Sequence, residues 1–256
     1  MDDANRITAA ILVIGDEILS GRTKEKNIGT IADHLFALGI DLCEARIVAD
    51  DHQAIVDALN ALRAQYTYVF TSGGIGPTHD DITADAVAAA FNVALDEDPR
   101  AIKLLLERIK PEDLNPARRR MARIPAGGEL IENRISKAPG FMIGNVIVMA
   151  GVPSIMQAML EAVTPRLKSG PAMQVETISA IGTPEGAYAA LLGSIATAHQ
   201  GLSIGSYPSL VDGQFHNQIV IRGRDHQAIA EAAAQVRAMV ENLANERAKT
   251  TRETPK

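Results

Sequence analysis

Apolar residues in this chain fall into short unbroken runs separated by segments of helical period, and that alternation predicts the elements. Residues 9–15 (AAILVIG) form a continuous apolar run, which suits a strand covered on both faces of a sheet. After the polar stretch 16–26, Ile28, Ile31, Leu35 and Leu38 recur at helical spacing, and Gly39 supplies a stop. A strand at 42–48 follows, then Asp50 or Asp51 as the cap of a helix carrying Ile55, Val56, Leu59 and Leu62, then a third strand at 68–71. Alanine-rich residues 84–91 suit a helix, and residues 98–121 suit one interrupted at Pro111 and Pro116. Residues 141–143 and 146–150 read as strands joined by the turn Gly144-Asn145. Gly151-Val152-Pro153 then opens a helix to residue 167 whose apolar face holds Ile155, Met156, Met159, Leu160 and Val163. This βαβ order predicts an α/β fold: a three-layer, mostly parallel sheet with helices on both faces and ligand sites beyond the strands' carboxyl ends.

The run Lys168-Ser169-Gly170-Pro171 joins polar and helix-breaking residues after a complete helix and reads as a domain boundary. Beyond it the pattern changes to a strand at 174–180, a helix at 184–198, strands at 202–207 and 215–222 and a long helix at 225–246, a second, smaller α+β module. The expected organisation is an α/β domain over 1–169, an α+β domain over 172–247 and a charged, disordered tail over 248–256.

Composition narrows the classes. Hydrophobic residues make up 46% of the 256, yet aromatics only 4% and tryptophan none, so the core must be built from Ala, Val, Ile, Leu and Met. The formal net charge of −6 gives no general attraction for nucleic acid, and the second module lacks an aromatic or arginine-rich strand surface. Arg118-Arg119-Arg120 reads as a solvated helix face, with an anion clamp as the alternative. The single cysteine, Cys43, excludes an intrachain disulfide, fits a reducing compartment and reads as a buried structural thiol. The first residues lack the order of a secretory signal and no apolar run approaches membrane-spanning length, so a cytoplasmic protein without membrane contact is expected.

The densest chemistry lies at 71–83 (TSGGIGPTHDDIT), between a strand and a helix. Gly73, Gly74 and Gly76 would leave backbone N–H groups unengaged near a helix start, where anions are favoured. A tight βα turn with a capping aspartate is the plainer reading, and the adjacent carboxylates Asp80 and Asp81 weigh against it. Backbone amides of 73–76 would hold a phosphate, and Ser72 or Thr78 would orient one of its oxygens. His79 reads as a surface or hydrogen-bonding histidine. Asp16-Glu17 follows the first strand and Asp50-Asp51 the second, so both pairs fall at the same sheet edge, each also suited to capping a helix. Pro139-Gly140 and Gly151-Val152-Pro153 either shape turns or bring backbone groups around a ligand.

Taken together, residues 15–21 (GDEILSG), Asp50-Asp51, 73–81 (GGIGPTHDD), Pro139-Gly140 and Gly151-Val152-Pro153 resemble the molybdopterin-binding (MoaB/Mog-like) family. The GPTHDD form and residues 205–209 (GSYPS) are most similar to the amino-terminal region of the damage-inducible (CinA-like) branch and its stand-alone relatives. The resemblance spans nearly the whole chain and does not take in the nicotinamide-nucleotide amidase domain of the longer relatives, so deamidase activity is not expected. It implies a three-layer α/β domain that forms homo-oligomers and takes a small-molecule phosphate or pterin ligand at the strand ends. Classical members bind the pterin dithiolene phosphate and some adenylylate it, whereas the damage-inducible branch is associated with hydrolysis of the pyrophosphate in ADP-ribose or related dinucleotides. The molybdenum-cofactor enzymes carry a basic residue before the motif's aspartate. This chain has Asp80 before Asp81, which favours hydrolysis.

The resemblance therefore implies metal-dependent hydrolysis of a nucleoside diphosphate linkage, with Asp81, Asp51 and Asp16 as catalytic carboxylates and Asp81 and Asp16 as ligands of a divalent metal, Mg, Mn or Co. Ser72, Gly73, Gly74, Gly76, Thr78, Pro139, Gly140, Gly151 and Pro153 are the expected phosphate- and ligand-binding residues. A non-catalytic protein with molybdopterin or a nucleotide as ligand, or an adenylyltransferase, is the alternative.

Overall fold

The computed structural model describes residues 6–253, with side chains through 247. The chain divides into two compact units, one ending at Gly170 and the other beginning at Pro171.

The first unit opens with β1 (Thr8–Ile14), the short α1 (Asp16–Leu19), α2 (Asn27–Ala37), β2 (Asp41–Val48), α3 (His52–Gln65), β3 (Tyr68–Ser72) and α4 (Thr83–Phe91). It continues through β4 (Leu95–Glu97), α5 (Pro99–Leu106), α6 (Pro116–Arg119), β5 (Arg123–Pro125), β6 (Glu129–Ile131), β7 (Gly140–Ile143), β8 (Val146–Met149) and α7 (Pro153–Val163). Its six-stranded sheet has the order β2-β1-β3-β8-β7-β6. β1 pairs in parallel with both β2 and β3, and β3 in parallel with β8, while β7 runs antiparallel to β8 and β6 antiparallel to β7.

Alternation along β1 builds both layers. Ala10, Leu12 and Ile14 face one core with Ile55, Leu59 and Leu62 of α3 and Val87 of α4. Ala9, Ile11 and Val13 face the other, with Ile31 and Leu35 of α2 and Met156, Met159 and Leu160 of α7. A strand buried on both faces cannot afford polar positions, which is why β1 reads as an unbroken apolar run. The crossover from β1 to β2 therefore lies on one face and that from β2 to β3 on the other. The strand order reverses between β1 and β3, with β2 added on one side of β1 and β3 on the other, and the carboxyl ends at such a switch point are where doubly wound sheets receive ligands.

Several expectations change. The helical stretch expected over 98–121 is broken into α5 and α6, with single 3-10 turns at Pro111–Asp113 and Arg120–Ala122, because Pro111 and Pro116 each occupy the first position of a turn. β4 and β5 pair with each other, and with β6 they are strands of three residues that carry no readable period. Cys43 is exposed, since β2 is the edge strand and turns one face outward.

The second unit contains β9 (Gln174–Ile181), α8 (Ala189–Ala198), β10 (Ser203–Tyr207), β11 (Leu210–Val211), β12 (Gln214–Gly223) and α9 (His226–Glu253). β12 lies between β9 and β10, antiparallel to both, and forms a hairpin with β11. Ile178, Ile219 and Ile221 of the sheet pack with Leu192 of α8 and Ala232, Ala233 and Val236 of α9. The backbone of α9 is helical through Glu253, so residues 248–253 of the expected disordered tail continue the helix, with no Gly or Pro to stop it. The rest of that tail, 254–256, lies outside the described residues. Among the described residues no helix is long and apolar enough to cross a membrane.

Candidate functional site

The carboxyl ends of β1, β2, β3 and β8 bring Asp16, Asp50, residues 72–76 and Gly151 to one edge of the parallel sheet. The contact between the β1 and β3 ends is close. A Cβ at Gly73 would stand 2.2 Å from the carbonyl oxygen of Ile14, and φ there is +113°. Gly74, at φ +67°, lies against Thr83, whose Oγ1 would be 2.1 Å from an added Cβ. Only glycine allows β3 to turn here while its end rests on β1 and on the start of α4.

The turn's polar groups divide into engaged and unengaged sets. The Gly73 N–H donates to the Met149 carbonyl at 3.1 Å, so it extends the sheet and is not available to the phosphate expected there. Thr83 donates from its hydroxyl to the Gly73 carbonyl at 3.0 Å and from its N–H to the Gly74 carbonyl at 3.0 Å. The N–H groups of Gly74, Ile75 and Gly76 have no acceptor among the described residues. These three residues line a cleft with Asp81, Arg120 and Pro139. The N–H groups that the turn leaves unengaged are thus those of 74–76, one residue later than the sequence places them.

The carboxylates are sorted by geometry. Asp51 caps α3, its Oδ1 accepting from the Ala54 N–H at 2.8 Å, which is a structural role in place of the catalytic one expected. Asp50 instead turns to the sheet edge, where its Oδ2 accepts from the Asp16 N–H at 2.9 Å. Burial pushes the Asp50 carboxyl above the ordinary aspartate range against the Asp16 hydrogen bond, and the charges of Asp16, Glu17 and Asp80 push it further. Asp81 has its Oδ2 bound by both the N–H and the hydroxyl of Thr78, at 2.8 and 2.5 Å. Thr78 therefore holds Asp81 in place of orienting a phosphate. The Thr78 side chain first, and the backbone N–H of Asp80 itself next, hold the Asp80 carboxyl below the ordinary carboxylate range. The carboxylate whose charge reaches Asp50 is Asp80, where the sequence pointed to Asp81. His79 is exposed.

Ser72 is likewise committed. Asn27, 6% exposed at the first position of α2, donates from Nδ2 to Ser72 Oγ at 2.7 Å and to the Gly151 carbonyl at 2.8 Å. This side chain ties α2, β3 and the loop after β8 together, and its own Oδ1 is buried without a partner among the described residues. Gly151 packs against Gly73, with 3.3 Å from an added Cβ to the Gly73 Cα. Gly140 starts β7 where a Cβ would meet the Val148 carbonyl at 2.3 Å, a packing demand of the sheet. Pro139 is buried at the cleft, and Pro153 is the exposed first residue of α7.

Three residues were not among those expected here. Asp50 was masked by its neighbour, either member of the pair being able to cap α3. Asn27 carried only the signal of a polar residue at a helix start. Arg120 was absorbed into a basic run, yet the run has two environments: Arg119 pairs with Glu97 at 3.4 Å, while the Arg120 Nη2 donates to the Asp81 carbonyl at 3.1 Å inside the cleft. Away from this edge, the second unit holds a cavity of about 380 Å³ beside Tyr188 and Leu192, where the Tyr188 hydroxyl meets Ser206 Oγ at 2.8 Å. Its lining includes Glu185 and Gly193 but nothing like the glycine turn and adjacent carboxylates of the sheet edge.

Comparison with known proteins agrees with this division. Residues 10–169 match the family described as a probable molybdopterin binding domain, and residues 174–248 match the FAD synthase middle domain. A CinA-like protein of Citrifermentans bemidjiense is 40% identical over 195 residues, covering 72% of this chain and 46% of its own length. A probable FAD synthase of Caenorhabditis briggsae is 28% identical over 90% of this chain and 49% of its own length. The chain thus spans about half the length of these relatives. Among solved structures, the protein CinA of Thermoplasma acidophilum, described as of unknown function, superposes with a TM-score of 0.60 at 34% identity, over 63% of this chain and 98% of that one.

Proposed function

Because the chain belongs to the molybdopterin-binding (MoaB/Mog-like) family and is similar to CinA-like proteins, we propose that it hydrolyses a nucleoside diphosphate linkage, with ADP-ribose or a related dinucleotide as substrate. One observation carries the reading: at the carboxyl ends of the parallel strands, unengaged N–H groups at 74–76 share the sheet edge with Asp16 and Asp50, and Asp50 feels the charges of Asp16, Glu17 and Asp80. The N–H groups and a nearby guanidinium suit the phosphate oxygens. In the reaction, a water oxygen bonds to one phosphorus, the bridging P–O bond breaks, and AMP and ribose 5-phosphate leave.

The family chemistry implies a divalent cation, and the donor set here accepts one of a particular kind. Among the described residues no three His, Cys, Asp or Glu side chains are grouped to hold a metal. Asp16 and Asp80, whose charges crowd Asp50, suit an ion such as Mg²⁺ that is held by one or two carboxylates, water and substrate phosphate. Such an ion, when bound, supplies neutralisation of the phosphate charge. The chain's own groups position the ligand: Thr78 fixes Asp81 at the cleft, and Asn27 fixes the β3 and β8 ends relative to each other.

The test is release of AMP and ribose 5-phosphate with Mg²⁺, Mn²⁺ or Co²⁺, and its loss in Asp80→Asn and Asp50→Asn. Absence of turnover across ADP-ribose and a panel of dinucleotides, with ligand binding retained, overturns hydrolysis. That outcome favours a second reading, a non-catalytic pterin- or nucleotide-binding protein, in which the unengaged N–H groups of 74–76 hold the ligand's phosphate and no bond is cleaved.

A further inference from the structure

Arg120 is held differently from the rest of its basic run. It follows α6 at the start of a single 3-10 turn, which carries it from the solvated face to the cleft lined by Gly74, Ile75 and Gly76. Its Nη2 is anchored on the Asp81 carbonyl, while its Nε is buried and has no acceptor among the described residues. A guanidinium donor left unpaired in a protein interior is costly. No carboxylate lies within 4.0 Å of Arg120 among the described residues, so its charge is uncompensated. Arg123, which lines the same cleft, also has a buried Nε without an acceptor among the described residues, but its charge is neutralised by Asp85, its Nη1 and Nη2 donating to the two carboxylate oxygens at 2.8 and 2.7 Å.

We propose that Arg120 is the anion-binding residue of this site, donating to a non-bridging phosphate oxygen held also by the N–H groups of 74–76. The inference deepens the reading above and rests on its placement of a phosphate at this turn. It also orients the ligand. Asp16, Glu17, Asp50 and Asp80, none of which lines this cleft, crowd one another's charge and repel an uncoordinated phosphate, so an anion bound without help from a cation sits beside Arg120, where the one lining carboxylate, Asp81, is held by Thr78. The ligand class is a phosphate ester or diphosphate whose charged group enters first, and an uncharged nucleoside gains nothing from Arg120.

The experiment measures binding by calorimetry in metal-free buffer, so that it is independent of turnover. The probes are ADP-ribose, AMP and ribose 5-phosphate, with adenosine as the uncharged comparison. Loss of a charge-assisted, two-point contact predicts that Arg120→Ala weakens the phosphorylated probes roughly tenfold to a hundredfold and leaves adenosine within twofold. Arg119→Ala, which removes only the Glu97 pair, leaves all four within twofold of the parent protein. Arg120→Lys, which keeps the charge without the fork, falls between. If Arg120→Ala does not fold, as judged by its thermal transition, Arg120→Gln takes its place in the same comparison. The proposal is overturned if the Arg120 variant binds ADP-ribose and AMP as tightly as the Arg119 variant, or if the parent protein binds no phosphorylated probe. Arg120-dependent binding without turnover under any metal removes the hydrolysis reading and leaves this one standing.

Discussion

The carboxylate of Asp50 accepts the backbone N–H of Asp16 at 2.9 Å, joining the end of β2 to the end of β1. The bond sets a negative charge in a partly buried place that already faces Asp16, Glu17 and Asp80. Charge is concentrated there at the expense of stability, a common condition of functional sites.

Replacing Asp50 separates the two effects. Burial and its acidic neighbours raise its folded pKa above the unfolded value, so the folded state holds its proton to higher pH. The stability this confers is complete below the unfolded value, about pH 4, and is lost as pH rises through the folded one. Asp50→Asn should therefore gain on the parent protein between pH 4 and pH 7, by a few degrees of melting temperature or less, and match it near pH 3.5. Hydrolysis of ADP-ribose should fall at least tenfold in the same variant. Equal melting temperatures across the whole range would remove the electrostatic account.

Asp51→Ala should behave in the opposite way. Its loss uncaps α3, for about 0.5–2 kcal/mol of stability in urea unfolding. Turnover at saturating substrate should stay within about twofold, and a loss as large as that of Asp50→Asn would restore Asp51 to the site.

Gly73→Ala meets the Ile14 carbonyl oxygen and a φ of +113° together. A cost of about 2–5 kcal/mol is expected from the clash and the strained backbone, read as a lower urea midpoint at unchanged slope. Gly127→Ala is the comparison: it has a positive φ of +86° with open space around the added atom, so it carries the backbone strain alone.

Asn27→Ala removes the donor that serves Ser72 and the Gly151 carbonyl, leaving the buried Ser72 hydroxyl and the carbonyl of the more exposed loop without it. About 1–3 kcal/mol of destabilisation should follow. Hydrogen exchange should rise first at the β3 end and the loop after β8, because those are the segments the side chain ties together. Uniform exchange across the sheet would mean that Asn27 acts only on global stability.

Apolar strand runs such as 9–14 and 68–70 were legible because burial on both faces disfavours polar residues, which enter β3 only at its end, as Thr71 and Ser72. The helices with a clear apolar face were legible for the related reason that one side must meet the sheet. Three-residue β4, β5 and β6 were not, since so short a segment takes its conformation from its partner and not from its own pattern. The exposure of Cys43 was hidden as well, because a sequence does not say which strand ends up at a sheet's edge.

At the site, residue type alone placed glycines and paired carboxylates at strand ends, and with them the family likeness. Only the tertiary structure decided how each pair divides: Asp51 was drawn into the cap of α3 and Asp50 to the Asp16 N–H, while Asp81 was held by Thr78 at the wall of the cleft and Asp80 was left exposed with its charge reaching Asp50. Adjacent identical residues have the same intrinsic chemistry, so their roles are divided by the direction in which the backbone turns each side chain. That direction is fixed by packing between segments distant in sequence, here the resting of Gly73 on the Ile14 carbonyl and the anchoring of Arg120 on the Asp81 carbonyl.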